Sequence, residues 1–373
     1  MNAATQPSFN KVSRLSILDA LRFVLAFWVV MGHVEVFPLF GGADTATKLG
    51  RFVTHAWSSL VWGVPAVIVF FVISGFCIHF PFRKGEKLLV GRYYLRRYTR
   101  VLIPVAGAVC LYRLLGNHQP FWGRHSILWN SVLWSLLCEE IYYAVYPVIR
   151  LVRKQVGWPI LLFSTFVLGA CTALTHLHTA DLAEIGPLET AIILYPVWLL
   201  GCVLAEECDR LPPLDSAWVI WRWRFLAWAG SWICEMLNFK AGIYLTQTML
   251  LFGILAYFWI RKEIQYSTHR EPYVTLAVAG TWSYSLYLVH DPAARIFSKF
   301  PPLHLGYIPD WCFLNAFILG FSYLFYLAIE RPSHQLAKKI RVIQKLGPGR
   351  NKEEPGLNIN RENPEPQSSP VVF

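Results

Sequence analysis

The stretch LDALRFVLAFWVVMGHVEVF, residues 18–37, decides how this chain is read. It is long and apolar enough to cross a bilayer, which takes about 20 predominantly apolar residues, yet it carries Arg22 and His33. At about 100° per residue, the eleven steps between them return to nearly the same helix face, about 16 Å further along the axis. A cation and an imidazole on one face of a spanning helix are costly unless that face looks into a polar interior. The first span is therefore expected to border a site, with a charge near one end and a base near the other. Histidine suits the second role because its charge changes near neutral pH. The residues alone leave a plainer alternative open, in which Arg22 snorkels to one set of headgroups and His33 bonds at the opposite interface.

The remainder has the same character. Of 373 residues, 55% are hydrophobic and 15% charged, with mean hydropathy +0.40; soluble domains carry about 25% charged residues. Apolar runs recur at roughly 17–37, 60–80, 98–115, 133–152, 158–177, 188–207, 217–236, 241–261, 275–295 and 309–330. The expectation is an all-α polytopic membrane protein of about ten transmembrane helices. It divides into an N-terminal segment 1–16, a membrane domain 17–335 and a tail 336–373. The tail begins basic and turns rich in Pro, Asn, Glu and Ser, a composition expected to be disordered. The first run, with Asp19 and Arg22 inside it, reads as an uncleaved anchor rather than a signal peptide.

The net charge of +11 points to topology rather than to nucleic acid. With the N-terminus in the cytoplasm, only Lys48, Arg51, Arg113, Arg124, Lys240, Arg295 and Lys299 fall on outer segments. Every other Lys and Arg except Arg22 lies inside, which supports an even number of spans with both termini cytoplasmic. The eight cysteines form no CxxC pair and lie mostly in apolar runs, where Cys behaves as a small hydrophobe. They are read as structural thiols, neither disulfides nor metal ligands.

Further stretches carry chemistry. In SVLWSLLCEEIYYAVYP, Ser135, Glu139, Tyr142, Tyr143 and Tyr146 share one helical stripe, so Glu139 rather than Glu140 is expected to face the interior. In TWSYSLYLVHDP, Ser283, Tyr287 and His290 share a side near the outer end, level with His33, and Asp291 either orients a histidine or begins a loop with Pro292. The inner loop RKGEKLLVGRYYLRRYTR carries Arg83, Lys84, Lys87, Arg92, Arg96, Arg97 and Arg100. It either sets orientation and binds anionic lipid or grips a phosphate-bearing donor through arginine forks. Ser74 and Gly75 in FFVISGF permit the close approach of another helix or of a slender ligand. Glu330, before Pro332, reads as a helix end with an interfacial carboxylate.

Together these stretches resemble the acyltransferase-3 family of integral-membrane O-acyltransferases, in its single-domain form without a fused esterase-like domain. The resemblance spans about residues 15–335 and rests on LDALRF…GH, FFVISGF, YLRRYTRVLIP, LWSLLCEEIYYAVYP, SYSLYLVHDP and the terminal ERP. It implies ten core spans and movement of an acyl group, often acetyl, from cytoplasmic acyl-CoA to hydroxyls of cell-surface glycans in a bacterial inner membrane. Arg22 and His33 match its essential pair, and Arg96, Arg97 and Arg100 its basic donor side. Ser74 and Gly75 match its SGF motif; Trp134, Ser135 and Glu139 its WSLxxE motif; Ser285 and His290 its late segment. Leu137, Cys138, Ile141 and Asp291 depart from the usual pattern.

Residues and resemblance lead to one expectation. Acyl-CoA, a substrate rather than a bound cofactor, enters from the basic side past Ser74 and Gly75. An acceptor hydroxyl binds at the opposite end among Trp134, Ser135, Tyr287 and His290. His33 is the general base, with Arg22 and Glu139 completing the catalytic set, and no metal is called for. Two rivals stay open at this level. A transporter or exporter would show sequence repeats and interrupted helices, neither visible here; a non-catalytic scaffold would need its buried charges only to fold.

Overall fold

The sequence GVPAVIVFFVISGFCIH has no polar face, and the helix it forms, α3 (Gly63–His79), is buried along almost its whole length. Its main partner, α7 (Pro187–Glu207), is apolar and buried between its glutamate-bearing ends. The two cross at reciprocal glycines. A Cβ on Gly75 would stand 1.9 Å from the Trp198 carbonyl oxygen, and one on Gly201 2.0 Å from that of Val72. Only hydrogen at both positions lets the backbones approach this closely, the small-residue crossing familiar between membrane helices.

The structure, a computed structural model, describes residues 9–34, 37, 47–121, 126–129, 131–179, 182–270, 273–340 and 342–344. Around the central pair stand α1 (Phe9–His33), α2 (Lys48–Ser58), α4 (Val90–Leu114), α5 (Trp134–Leu174), α6 (Leu182–Ile185), α8 (Ala217–Met236), α9 (Leu245–Tyr266), α10 (Val274–Gly280), α11 (Ser283–Phe297), α12 (Tyr307–Phe325) and α13 (Arg331–Lys338). The only strands among the described residues are β1 (Lys87–Leu88) and β2 (Ile343–Gln344), an antiparallel ribbon in which Lys87 faces Gln344 and Leu88 faces Ile343.

Among the described residues, five helical stretches are long and apolar enough to cross a membrane: Ser16–His33, Lys48–Phe82, Trp134–Leu174, Pro187–Arg210 and Tyr307–Lys338. Large apolar side chains are exposed on the outside of the bundle, among them Phe163 at 72%, Leu251 at 70% and Leu324 at 65%. Water would penalise that surface, whereas lipid would not.

Several expectations are corrected. The arginines placed in a loop before the third span are helical, since α4 already begins at Val90; Arg is a good helix former, and Gly91 sits in the first turn, where it does not stop the helix. The expected span 275–295 is two helices, α10 and α11, parted at Thr281–Trp282, so an interrupted helix is present after all. Pro292 starts no loop, because α11 continues to Phe297. Glu330 does not end the last helix. A π turn, Tyr326–Glu330, carries α12 into α13, with Pro332 just after it; the wider turn stands where proline's missing N–H interrupts the regular helical bonding. The runs expected at 133–152 and 158–177 do stand as two helical halves of α5, parted at Gly157, whose φ of 77° and ψ of 169° suit glycine. The helix α1 starts at Phe9, inside the segment 1–16 set apart from the membrane domain. The expected disorder of the tail concerns residues 345–373, which lie outside the described residues.

Candidate active site

Six helices and the end of a seventh surround a chamber of about 600 Å³. From α1 come Asp19 and Arg22, three residues apart on one face, with Arg22 Nη1 3.1 Å from Asp19 Oδ1. The pairing compensates a guanidinium held away from water. From α4 come Arg96, Arg97 and Arg100, whose spacing keeps all three within about 100° of the helix circumference. They differ in partners. Arg97 lays its guanidinium 3.8 Å over the ring of Tyr143, and its Nε is buried without an acceptor among the described residues. Arg100 Nε donates to His334 Nε2 at 3.1 Å, and that nitrogen is 3.4 Å from Glu330 Oε1.

Glu330 itself is 1% exposed. Its Oε2 accepts from the backbone N–H of Ser285, 3.0 Å away, and from the Ser285 hydroxyl. That N–H belongs to the first turn of α11, where backbone donors have no acceptor within the helix, so the carboxylate satisfies the helix end. Glu330 and His334, both on the chamber wall, are the functional candidates sequence reasoning missed. Their i, i+4 spacing was the available signal, hidden by reading Pro332 as a stop.

Further along the chamber the wall becomes hydroxyl-rich. Ser74 Oγ lies 2.8 Å from Tyr143 OH and accepts from Trp198 Nε1 at 3.2 Å, with Glu139 beside both hydroxyls. Ser135 Oγ lies 2.6 Å from Tyr287 OH, and Tyr287 OH is 2.6 Å from the Val132 carbonyl. A carbonyl only accepts, so the single phenol proton goes to Val132 and the Ser135 hydroxyl donates to Tyr287.

The structure thus brings Arg22, Ser74, Arg96, Arg97, Arg100, Ser135, Glu139 and Tyr287 onto one wall. His33, Gly75, Trp134 and His290 are not on it. Gly75 is turned to α7 and serves the helix crossing rather than a ligand path. Trp134 opens α5 and meets Trp129 edge to face, 6.3 Å between ring centroids. The histidines stand just past the chamber's hydroxyl end. The His290 ring is 6.1 Å from the Tyr287 ring, and the His33 ring is 5.3 Å beyond that of His290. His290 is fully buried and His33 exposed. Asp291 orients neither, since its carboxylate is 2.9 Å from Arg295 Nε.

A bundle of apolar helices enclosing a chamber lined by arginines, carboxylates and hydroxyls defines an integral membrane protein with a polar interior reaction space. The chain belongs to the acyltransferase-3 family: the family's acyltransferase domain matches residues 15–327, which makes this an acyl-transferring enzyme. A relative, the acyltransferase MdmB of Streptomyces mycarofaciens, is 25% identical over 357 residues, covering 84% of this chain and 88% of that protein. No solved structure matches the chain.

Proposed function

We propose that this membrane acyltransferase moves an acyl group, acetyl before longer chains, from cytoplasmic acyl-CoA to a hydroxyl of a cell-surface or exported glycan. The observation that carries this reading is the polarity of the chamber, basic at the α4 end and hydroxyl-rich at the other, with two imidazoles just past the hydroxyls. Coenzyme A is a polyanion with a slender arm. Arg96, Arg97 and Arg100 receive its phosphates, for which guanidinium forks are suited. The arm runs past Ser74 and Glu139, and Arg22, neutralised by Asp19, borders its path. The thioester reaches the Ser135–Tyr287 pair.

His33 is the general base. Its Nδ1 is 2.9 Å from the Val29 carbonyl, so that nitrogen holds the hydrogen and Nε2 offers the lone pair. An alcohol is a poor nucleophile at neutral pH without such a base. The bundle has ten spans with both termini in the cytoplasm of a bacterial inner membrane, as the excess of basic residues on that side favours.

The experiment is mass spectrometry of surface glycans from cells with and without the protein, paired with transfer of label from acetyl-CoA in isolated membranes. Loss of one acyl modification together with acyl-CoA-dependent labelling is expected. Glycan unchanged in both, with uptake of a solute in the absence of acyl-CoA, would replace this reading with a transporter.

A further inference from the structure

Beside His33 stands a second imidazole held in the same way. His290 Nδ1 is 2.8 Å from the Tyr287 carbonyl and 3.2 Å from that of Leu286. Carbonyl oxygens accept and never donate, so Nδ1 carries the hydrogen and Nε2 the lone pair. In His33 the Val29 carbonyl fixes the same tautomer. Two neighbouring rings, 5.3 Å apart, therefore each present a bare Nε2. That of His290 is buried and meets no donor among the described residues. Buried polar atoms are almost always satisfied, and one that is not calls for an explanation. The neighbouring Tyr287 phenol is already committed, donating to Val132 and accepting from Ser135. Asp291 is engaged by Arg295.

We propose that His290 is a second catalytic residue, which takes the acceptor's proton from His33 and passes it to the leaving thiolate. This rests on the reading of His33 as the base. The acceptor O–H bond breaks as its proton moves to His33 Nε2, and the oxygen forms a bond to the thioester carbonyl carbon. The proton passes from His33 Nε2 to His290 Nε2. The C–S bond then breaks with its electron pair on sulfur, and the sulfur takes the proton from His290. Ester and free thiol are released, and both rings return to their starting tautomers with neither Nδ1 hydrogen having moved. The positions suit this order. His33 is exposed, where a glycan arrives, whereas His290 is buried between it and Tyr287, on the chamber wall from which the thioester comes. The relay keeps the proton out of bulk water at the moment the thiolate needs it.

The test compares His290→Gln and His33→Gln in membrane vesicles supplied with labelled acetyl-CoA. Gln keeps a neutral polar group at position 290 but cannot take up and release a proton near neutral pH. About a 100-fold fall in the transfer rate at saturating acetyl-CoA is expected, with protein abundance and the KM for acetyl-CoA within threefold of the unaltered enzyme. Transfer within threefold in His290→Gln, while His33→Gln is inactive, overturns the relay and leaves the base in place. Normal transfer in His33→Gln overturns the base itself.

Should His290→Gln fail to accumulate, the unaltered protein decides. Val289–His290 is the only Val–His step in the sequence, so carbon-13 valine with nitrogen-15 histidine isolates this ring by solid-state NMR. Hydrogen on Nδ1 with a bare Nε2 is expected; any other protonation pattern overturns the proposal.

Discussion

Arg97 stacks its guanidinium 3.8 Å above the ring of Tyr143, and the same tyrosine's hydroxyl meets Ser74 at 2.8 Å. One aromatic ring thus joins the basic end of the chamber to its hydroxyl end. The stack orients a planar cation while leaving Nε unclaimed, a fork held ready for an oxyanion. Arg97→Lys keeps the charge and loses both plane and fork. It should raise the KM for acetyl-CoA about tenfold, corresponding to about 1.4 kcal/mol, with the rate at saturation little changed. A rise of less than twofold would remove Arg97 from the donor site.

His33→Ala should lower acyl transfer by about 10²–10⁴, the usual contribution of a positioned acid or base. Immunoblotting of the membranes must show ordinary abundance, because His33 is exposed and its removal opens no cavity in the core. Ordinary turnover in that variant would end the assignment.

Glu330→Ala strands the Ser285 N–H and hydroxyl and deprives the Arg100–His334 pair of its nearby carboxylate. Breaking a buried charged network costs about 3–5 kcal/mol, so the variant should accumulate poorly and melt several degrees lower in detergent. Glu330→Gln, which still accepts from Ser285, should lose less. Equal melting temperatures for all three proteins would show that the network does not hold α11 in place.

Gly75→Ala should prevent accumulation, since the new methyl group would overlap the Trp198 carbonyl and force the central helices apart. Gly91→Ala is the control. Nothing lies within 4 Å of the added Cβ there, and alanine favours a helix over glycine by about 0.5–1 kcal/mol. Matched abundance of the two variants would contradict the crossing.

A periplasm-active reporter fused after Gly116 or after Ala180 should be active in a bacterial host, because both positions fall on outer segments of the ten-span arrangement. Silence at both positions would overturn the topology.

Much of this was legible in the sequence, for reasons that also mark where reading fails. The Arg22–His33 pair announced a polar interior because charge in an apolar run is tolerated mainly where it can meet polar groups inside the bundle, and α1 does hold Arg22 on the chamber wall. The stripe on α5 correctly turned Glu139 inward. Periodicity describes one helix at a time, however, and does not say which helices touch. Nothing in FFVISGF distinguishes a glycine facing a ligand from one facing α7. The closeness of His33 and His290 follows from how α1 and α11 pack, so sequence supplied their level and not their contact. Glu330 and His334 were lost to a π turn, which leaves no period of its own in a short stretch.

The ribbon of β1 and β2 sets a limit on engineering this protein. Val342 forms part of the chamber lining, and Ile343 and Gln344 beside it are paired with Leu88 and Lys87. Tags appended beyond that pairing leave the donor compartment whole. A deletion that removes residues 342–344 would take out a piece of its lining and free the edge of β1, so truncations meant to aid crystallisation should stop short of it.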